Sequence, residues 1–268
     1  MVVNRNKRRL GALVVAACLA AAPLAALGQA ESPKLSDGWL DSLSSAPAVA
    51  WSHAFALRQD TAATLEGKRR RLVAELDTLI MRARLGGNGA GRVSGLTAWR
   101  QRLAEGESLP ARTPGRFDLP WLGAHLRQDP PLAEIALWGS CEPPAWVEVW
   151  HLGGVTRLLW QEGLALDGAL ERLARDADGE VSASVDYAWL ITPTGERHRR
   201  GIAAWNTQAT PLAPGSRVML ELPGPQGLSS ALPLSAPQAA GRLINQRLPD
   251  YLATRLPGDD CTTWSKDT

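Results

Sequence analysis

The residues with the most chemical content lie in one short run, Trp146-Val147-Glu148-Val149-Trp150. In an extended strand successive side chains alternate. Val147 and Val149 therefore share one face, and Trp146, Glu148 and Trp150 share the other. Pyranose rings present C–H faces that stack on indoles, and a carboxylate between two indoles could accept hydroxyl hydrogen bonds. Exposed, this face would be a sugar platform. Covered, its rings would pack against a helical layer, the commoner fate of tryptophan. The question matters because the chain holds 11 Trp against 2 Phe and 2 Tyr. Trp205 is read as a core residue. Nearby Arg199 and Arg200 would either supply basic partners to an acidic polysaccharide or form a solvated strand edge.

No catalytic constellation accompanies these residues. His53, His125, His151 and His198 are scattered without metal-ligand spacing, and no nucleophile elbow, phosphate loop or dinucleotide fingerprint is present. Glu148, Asp186 and Glu196 could in principle form a glycosidase pair. A chain of this size offers such pairs by chance, so the reading is of a non-enzyme with no cofactor and no metal. A net charge of +2 over 268 residues, with no basic run interleaved with aromatics, argues against a nucleic-acid partner.

The three cysteines bear on compartment. Residues 1–9 carry Arg5, Lys7, Arg8 and Arg9, residues 10–27 are apolar, and Gly28-Gln29-Ala30 ends the run in small residues. This pattern predicts a signal peptide over 1–30 and export from the cytoplasm. Val15-Ala16-Ala17-Cys18 offers an alternative, lipidation of Cys18 and anchoring at the envelope. After cleavage Cys141 and Cys261 remain, to pair in an oxidising compartment or to stay as free thiols.

Apolar residues at Leu65, Leu72, Leu76, Leu79, Ile80 and Ala83 predict an amphipathic helix. The glycine-rich stretch 86–91 ends it, and Val93, Leu96, Trp99 and Leu103 predict a second helix, together a helical hairpin. Short strands are expected at 134–139, 146–151, 155–160, 187–192, 196–205 and 217–222, with one helix at 166–175. Ala239, Leu243, Ile244 and Leu248 mark a closing helix, and the polar tail 259–268 is expected to be loose. The predicted fold class is α+β, a β-grasp domain with a helical-hairpin insertion and a C-terminal amphipathic helix. The domains read as a reduced N-terminal region with the hairpin (31–111), the β-grasp domain (112–224), the C-terminal helix (225–258) and the tail.

Several motifs then fall in a familiar order. Asp129-Pro130-Pro131-Leu132 follows the hairpin, then come Leu190-Ile191-Thr192-Pro193-Thr194-Gly195-Glu196, Trp205-Asn206, Pro214-Gly215-Ser216-Arg217 and Asn245-Gln246-Arg247-Leu248-Pro249-Asp250. In this order they resemble the capsule biosynthesis GfcC family, over about residues 39 to 252. The resemblance implies a periplasmic accessory protein whose β-grasp domains are related to those of Wza-type outer-membrane polysaccharide exporters. Its implied role is capsule or exopolysaccharide assembly or export, without catalysis, binding glycan or a partner in the export machinery. The alternative is a structural envelope adaptor that docks a membrane protein through its C-terminal helix and has no glycan affinity. A glycan-modifying enzyme ranks last. One departure stands out: the family carries an additional N-terminal β-grasp domain with strands before the hairpin. Here roughly 30 mature residues precede it, so that domain is expected to be reduced or to lack its opening strands.

Overall fold

The computed structural model describes residues 32–44, 48–85, 90–105, 110–176, 185–222 and 236–266. The predicted signal peptide and Cys18 lie outside these residues. In chain order the elements are α1 (Leu35–Leu43), β1 (Ala54–Arg58), α2 (Gln59–Leu85), α3 (Ala90–Glu105), α4 (Leu119–Ala124), β2 (Ile135–Cys141) and β3 (Trp146–His151). There follow β4 (Gly154–Leu159), α5 (Leu166–Asp176), β5 (Tyr187–Ile191), β6 (Arg197–Gly201), β7 (Arg217–Leu220), α6 (Ala236–Leu252) and β8 (Cys261–Trp264). The fold class is α+β.

The larger sheet has five strands in the order β4-β3-β7-β5-β6. Its central pair, β3 and β7, is parallel, and the other neighbours are antiparallel. Both faces of its inner strands are covered, which explains why they read as apolar runs rather than clean alternations. On one face Val147, Val149, Leu190 and Val218 meet Leu166, Ala169 and Leu173 of α5. On the other, Trp150, Ile191 and Met219 meet a helical layer of Leu72 and Leu76 from α2, Trp99 from α3, and Ile244 and Leu248 from α6. Each such buried side chain contributes about 1.5–3 kcal/mol relative to exposure.

The helical pair is docked by more than apolar contact. Trp99 Nε1–H donates to the carbonyls of His151 at 2.8 Å and Gly154 at 3.0 Å. Close approach at this turn depends on Gly95, since a Cβ there would lie 1.7 Å from the Leu152 carbonyl oxygen.

The smaller sheet, in the order β1-β2-β8, is antiparallel throughout. Leu35 and Trp39 of α1 and Leu122 of α4 pack with Ala54, Ala56 and Trp138 beside it. Cys141 and Cys261 face each other in register and form a disulfide between β2 and β8.

Several expectations are corrected here. The tail is not loose throughout: Cys261–Trp264 is a strand, ordered by pairing with β2. Nor do all the strands after residue 112 join one sheet. β2 pairs with β1, which opens the N-terminal region ahead of the helical pair. Local alternation marks a strand without naming its neighbours, and that is why the boundary at 111/112 misplaces β2. The strand expected at 196–205 stops at Gly201, and Trp205 sits on the following turn, 71% exposed rather than in the core. That turn is held by Asn206, whose Oδ1 accepts from Ala203 N and whose Nδ2 donates to the Asp186 carbonyl. The strand expected at 217–222 stops at Leu220, and Leu222 packs toward the helical layer.

Candidate functional site

One rung of the larger sheet concentrates charge. Glu148 on β3 is in register with Arg157 on β4 and with Arg217 on β7. All three side chains therefore leave the same sheet face. Glu148 is only 2% exposed and Arg217 7%. Arg217 Nε donates to Glu148 Oε1 at 3.3 Å, and Arg157 Nε donates to Oε2 at 3.4 Å. From α3, Arg102 Nη2 reaches Oε2 at 3.1 Å, while Trp150 Nε1–H donates to Oε1 at 2.9 Å.

Burial alone would raise the Glu148 carboxyl. The neighbouring guanidiniums, Arg217 first, together with the Trp150 N–H, outweigh it and hold the group at about 2. Glu148 is thus an ionised acceptor with both oxygens occupied, unsuited to giving or taking a proton near neutrality. Burial lowers Arg217, and the facing Glu148 partly restores it.

The cluster lines a cavity of about 410 Å³ between the larger sheet, the end of α3 and the chain that follows α6. Four arginines, Arg102, Arg157, Arg217 and Arg255, face it against two carboxylates, Glu148 and Asp259. Asp259 is held from outside the sheet. It accepts from Arg157 Nη1 at 2.7 Å and Nη2 at 3.0 Å, and from Trp146 Nε1–H at 3.0 Å. The Arg157 guanidinium also lies 4.2 Å from the centre of the Trp146 ring. Arg217 Nη2 donates to the Leu256 carbonyl at 2.8 Å. Its Nη1 is buried and has no hydrogen-bond partner among the described residues. Nearby, fully buried Arg112 ties the Ala253 and Thr192 carbonyls together. Its guanidinium is pushed well down, by burial first and then by the charge of Arg217.

The structure divides the residues singled out from sequence. Trp146, Glu148 and Trp150 share a face as the alternation predicts, but Glu148 and Trp150 are buried and Trp146 is half-buried. Trp150 is 2% exposed and packs edge-on against Trp99 at 5.6 Å. Arg199 and Arg200 lie elsewhere, on β6. Arg199 is paired in two-point fashion with Glu221 at 2.7 and 2.9 Å and lies over the Tyr187 ring. Arg200 buries its Nε. Neither lines the cavity. Glu148, Asp186 and Glu196 do not share one surrounding: Asp186 lines a separate depression beside α5, and Glu196 lies next to His198 in the β5–β6 turn. Among the described residues no group of three or more His, Cys, Asp or Glu could hold a metal ion. No helix of the described residues is long and apolar enough to cross a membrane.

Sequence reasoning missed Arg102, Arg157, Arg217, Arg255 and Asp259. One signal was available for Arg217, a charged residue heading the apolar run Val218-Met219-Leu220. A buried charge of this kind is costly and marks a paired or functional group.

No curated protein matches the chain. Residues 156–257 match the family described as Capsule biosynthesis GfcC C-terminal. The matched segment runs from within β4 to just beyond α6 and carries Arg157, Arg217 and Arg255, whereas Glu148 and Asp259 lie outside it. Over this segment, somewhat more than a third of the chain, the protein is similar to the C-terminal part of the capsule biosynthesis GfcC family.

Proposed function

We propose that the protein is an exported, periplasmic accessory factor that binds glycan in the arginine-lined cavity during capsule assembly or export, without catalysing a reaction on it. The observation that carries this reading is the state of Glu148: the carboxylate best placed in the cavity is locked in ion pairs at about 2. The site offers donors and an aromatic wall, the equipment of a binding pocket, and lacks a group poised for proton transfer. The N-terminal signal pattern supports export. A β-grasp reading of the larger sheet is supported by its first hairpin β3–β4, the single crossing helix α5 and the parallel pairing of its first and last strands.

The adaptor alternative relies on the apolar face of α6. Ile244, Leu248 and Leu252 on that face are buried in the protein's own core, so docking through it would require α6 to leave the helical layer. This favours the glycan reading.

The test is titration of the mature protein with the producing organism's own capsular polysaccharide, followed by intrinsic tryptophan fluorescence, since Trp146 and Trp150 flank Glu148. A saturable shift with no cleaved or transferred product after long incubation is expected. No response at any concentration overturns glycan binding, and product formation overturns the non-catalytic assignment.

A further inference from the structure

Arg217 brings an unmet demand to the cavity. Its Nε and Nη2 are used by Glu148 and Leu256, yet Nη1, on a side chain more than nine-tenths buried, has no partner among the described residues. Buried polar groups are nearly always satisfied, and an orphan on a side chain that lines a cavity points to a group that arrives from outside. The cavity is large enough for a sugar residue, being within the roughly 300–1,000 Å³ range of small-molecule sites. Its charge selects the sign, with four guanidiniums against two carboxylates.

Asp259 indicates the shape of the missing group. On the exposed segment before β8, it presents a carboxylate to Arg157 in two-point geometry and to the Trp146 N–H. One corner of the site thus already holds a carboxylate belonging to the chain itself. The planar guanidinium fork favours carboxylate and phosphate oxygens over neutral hydroxyls.

We propose that the cavity is an oxyanion site for an acidic glycan, in which Arg217 Nη1 receives the carboxylate of a uronic acid or a phosphate ester, and Asp259 is the internal carboxylate with which that group competes. This rests on the glycan-binding reading and narrows it to acidic polymers. Arg217 anchors the anion, and Arg157 joins it when Asp259 gives way. Trp146 borders the same corner through its contact with Arg157.

The experiment is calorimetric titration of the full mature chain with three probes: a hexuronate-containing tetrasaccharide, its carboxyl-reduced counterpart and a hexose 1-phosphate. The uronate or the phosphate probe is expected to bind at least tenfold more tightly than the reduced sugar, and to weaken as NaCl is raised. Which of the two binds identifies the source of the oxyanion. Arg217→Lys should lower that affinity at least tenfold while near-ultraviolet circular dichroism stays native. Asp259→Asn, which removes the competing charge and retains an acceptor for Trp146, should raise it about threefold or more. If Arg217→Lys does not fold, the sign of the Asp259→Asn effect decides. Equal affinity for acidic and reduced tetrasaccharide, or unchanged or weaker binding by Asp259→Asn, overturns the oxyanion site and leaves general glycan binding intact. Absence of binding by all three probes overturns both.

Discussion

On one side of β3, Val147 and Val149 are sealed under α5 by Leu166, Ala169 and Leu173. On the other side, one residue away in the chain, Glu148 is buried as deeply among Arg217, Arg157 and Arg102. The two faces share a backbone and a degree of burial and differ in what the burial does. On the α5 face, removal of apolar surface from water stabilises the fold directly. Across the strand, desolvating an ion cluster is unfavourable, and close pairing only offsets it. A cluster of that kind with an opening beside it is better explained by ligand binding than by stability. The same contrast separates two sets of arginines. Arg217 is buried with an N–H that has no partner among the described residues, whereas Arg199 is exposed and paired at two points with Glu221.

Substitutions on the two faces test this contrast. The largest effect is expected from Glu148→Gln, which leaves buried guanidiniums without their counter-charge and should cost about 3–5 kcal/mol in urea denaturation. A loss below about 1 kcal/mol would show that the cluster is not coupled to folding. The wild-type protein carries the same information in its acid limb. The Glu148 carboxyl is lower in the folded state than in the unfolded chain, so its stabilisation is complete above its ordinary value of 4.5 and is lost as pH falls toward about 2.

Leu173→Ala on the α5 face should cost about 2–5 kcal/mol, because a cavity opens in a well-packed core. The faces are functionally distinct if this variant, measured well below its melting temperature, keeps wild-type affinity for glycan. A loss of affinity matching that of Arg217→Lys would erase the distinction.

Reduction of the Cys141–Cys261 disulfide, or Cys261→Ser, should cost about 2–4 kcal/mol, since the bridge closes a loop across 120 residues. The bridge also fixes the segment that carries Asp259, so hydrogen exchange in β8 should rise on reduction while α5 stays protected. The smallest effect is expected from Arg199→Gln. An exposed pair of this type contributes about 0–1 kcal/mol, and the variant should retain glycan affinity. Loss of binding in Arg199→Gln with binding retained in Arg217→Lys would move the site from the cavity to β6.

Much of the secondary structure was legible because its signals are local. The three- and four-residue spacing of Leu72, Leu76 and Ile80 requires only that a helix has 3.6 residues per turn. Period two placed Trp146, Glu148 and Trp150 on one face, and turn chemistry at Pro193-Thr194-Gly195 marked the β5–β6 connection, where Gly195 adopts φ +85°. The site was less legible. Glu148 and Trp150 were named, but their arginine partners lie 9, 46 and 69 residues away in the chain. Trp205 was misassigned because composition predicts burial on average, whereas its exposure follows from the Asn206-centred turn.

The sequence by itself determined α2, α3, α5 and α6, most of the strands, the alternation within β3 and the family motifs, since each is written in residues a few positions apart. Tertiary structure alone decided which strands became neighbours. Strand register brought Arg157 and Arg217 to either side of Glu148, β8 joined β2, and Glu148 and Trp150 of the platform-like face became part of the wall of a cationic cavity. Register depends on packing among segments far apart in the chain, and it is cooperative packing that turns scattered arginines into one site.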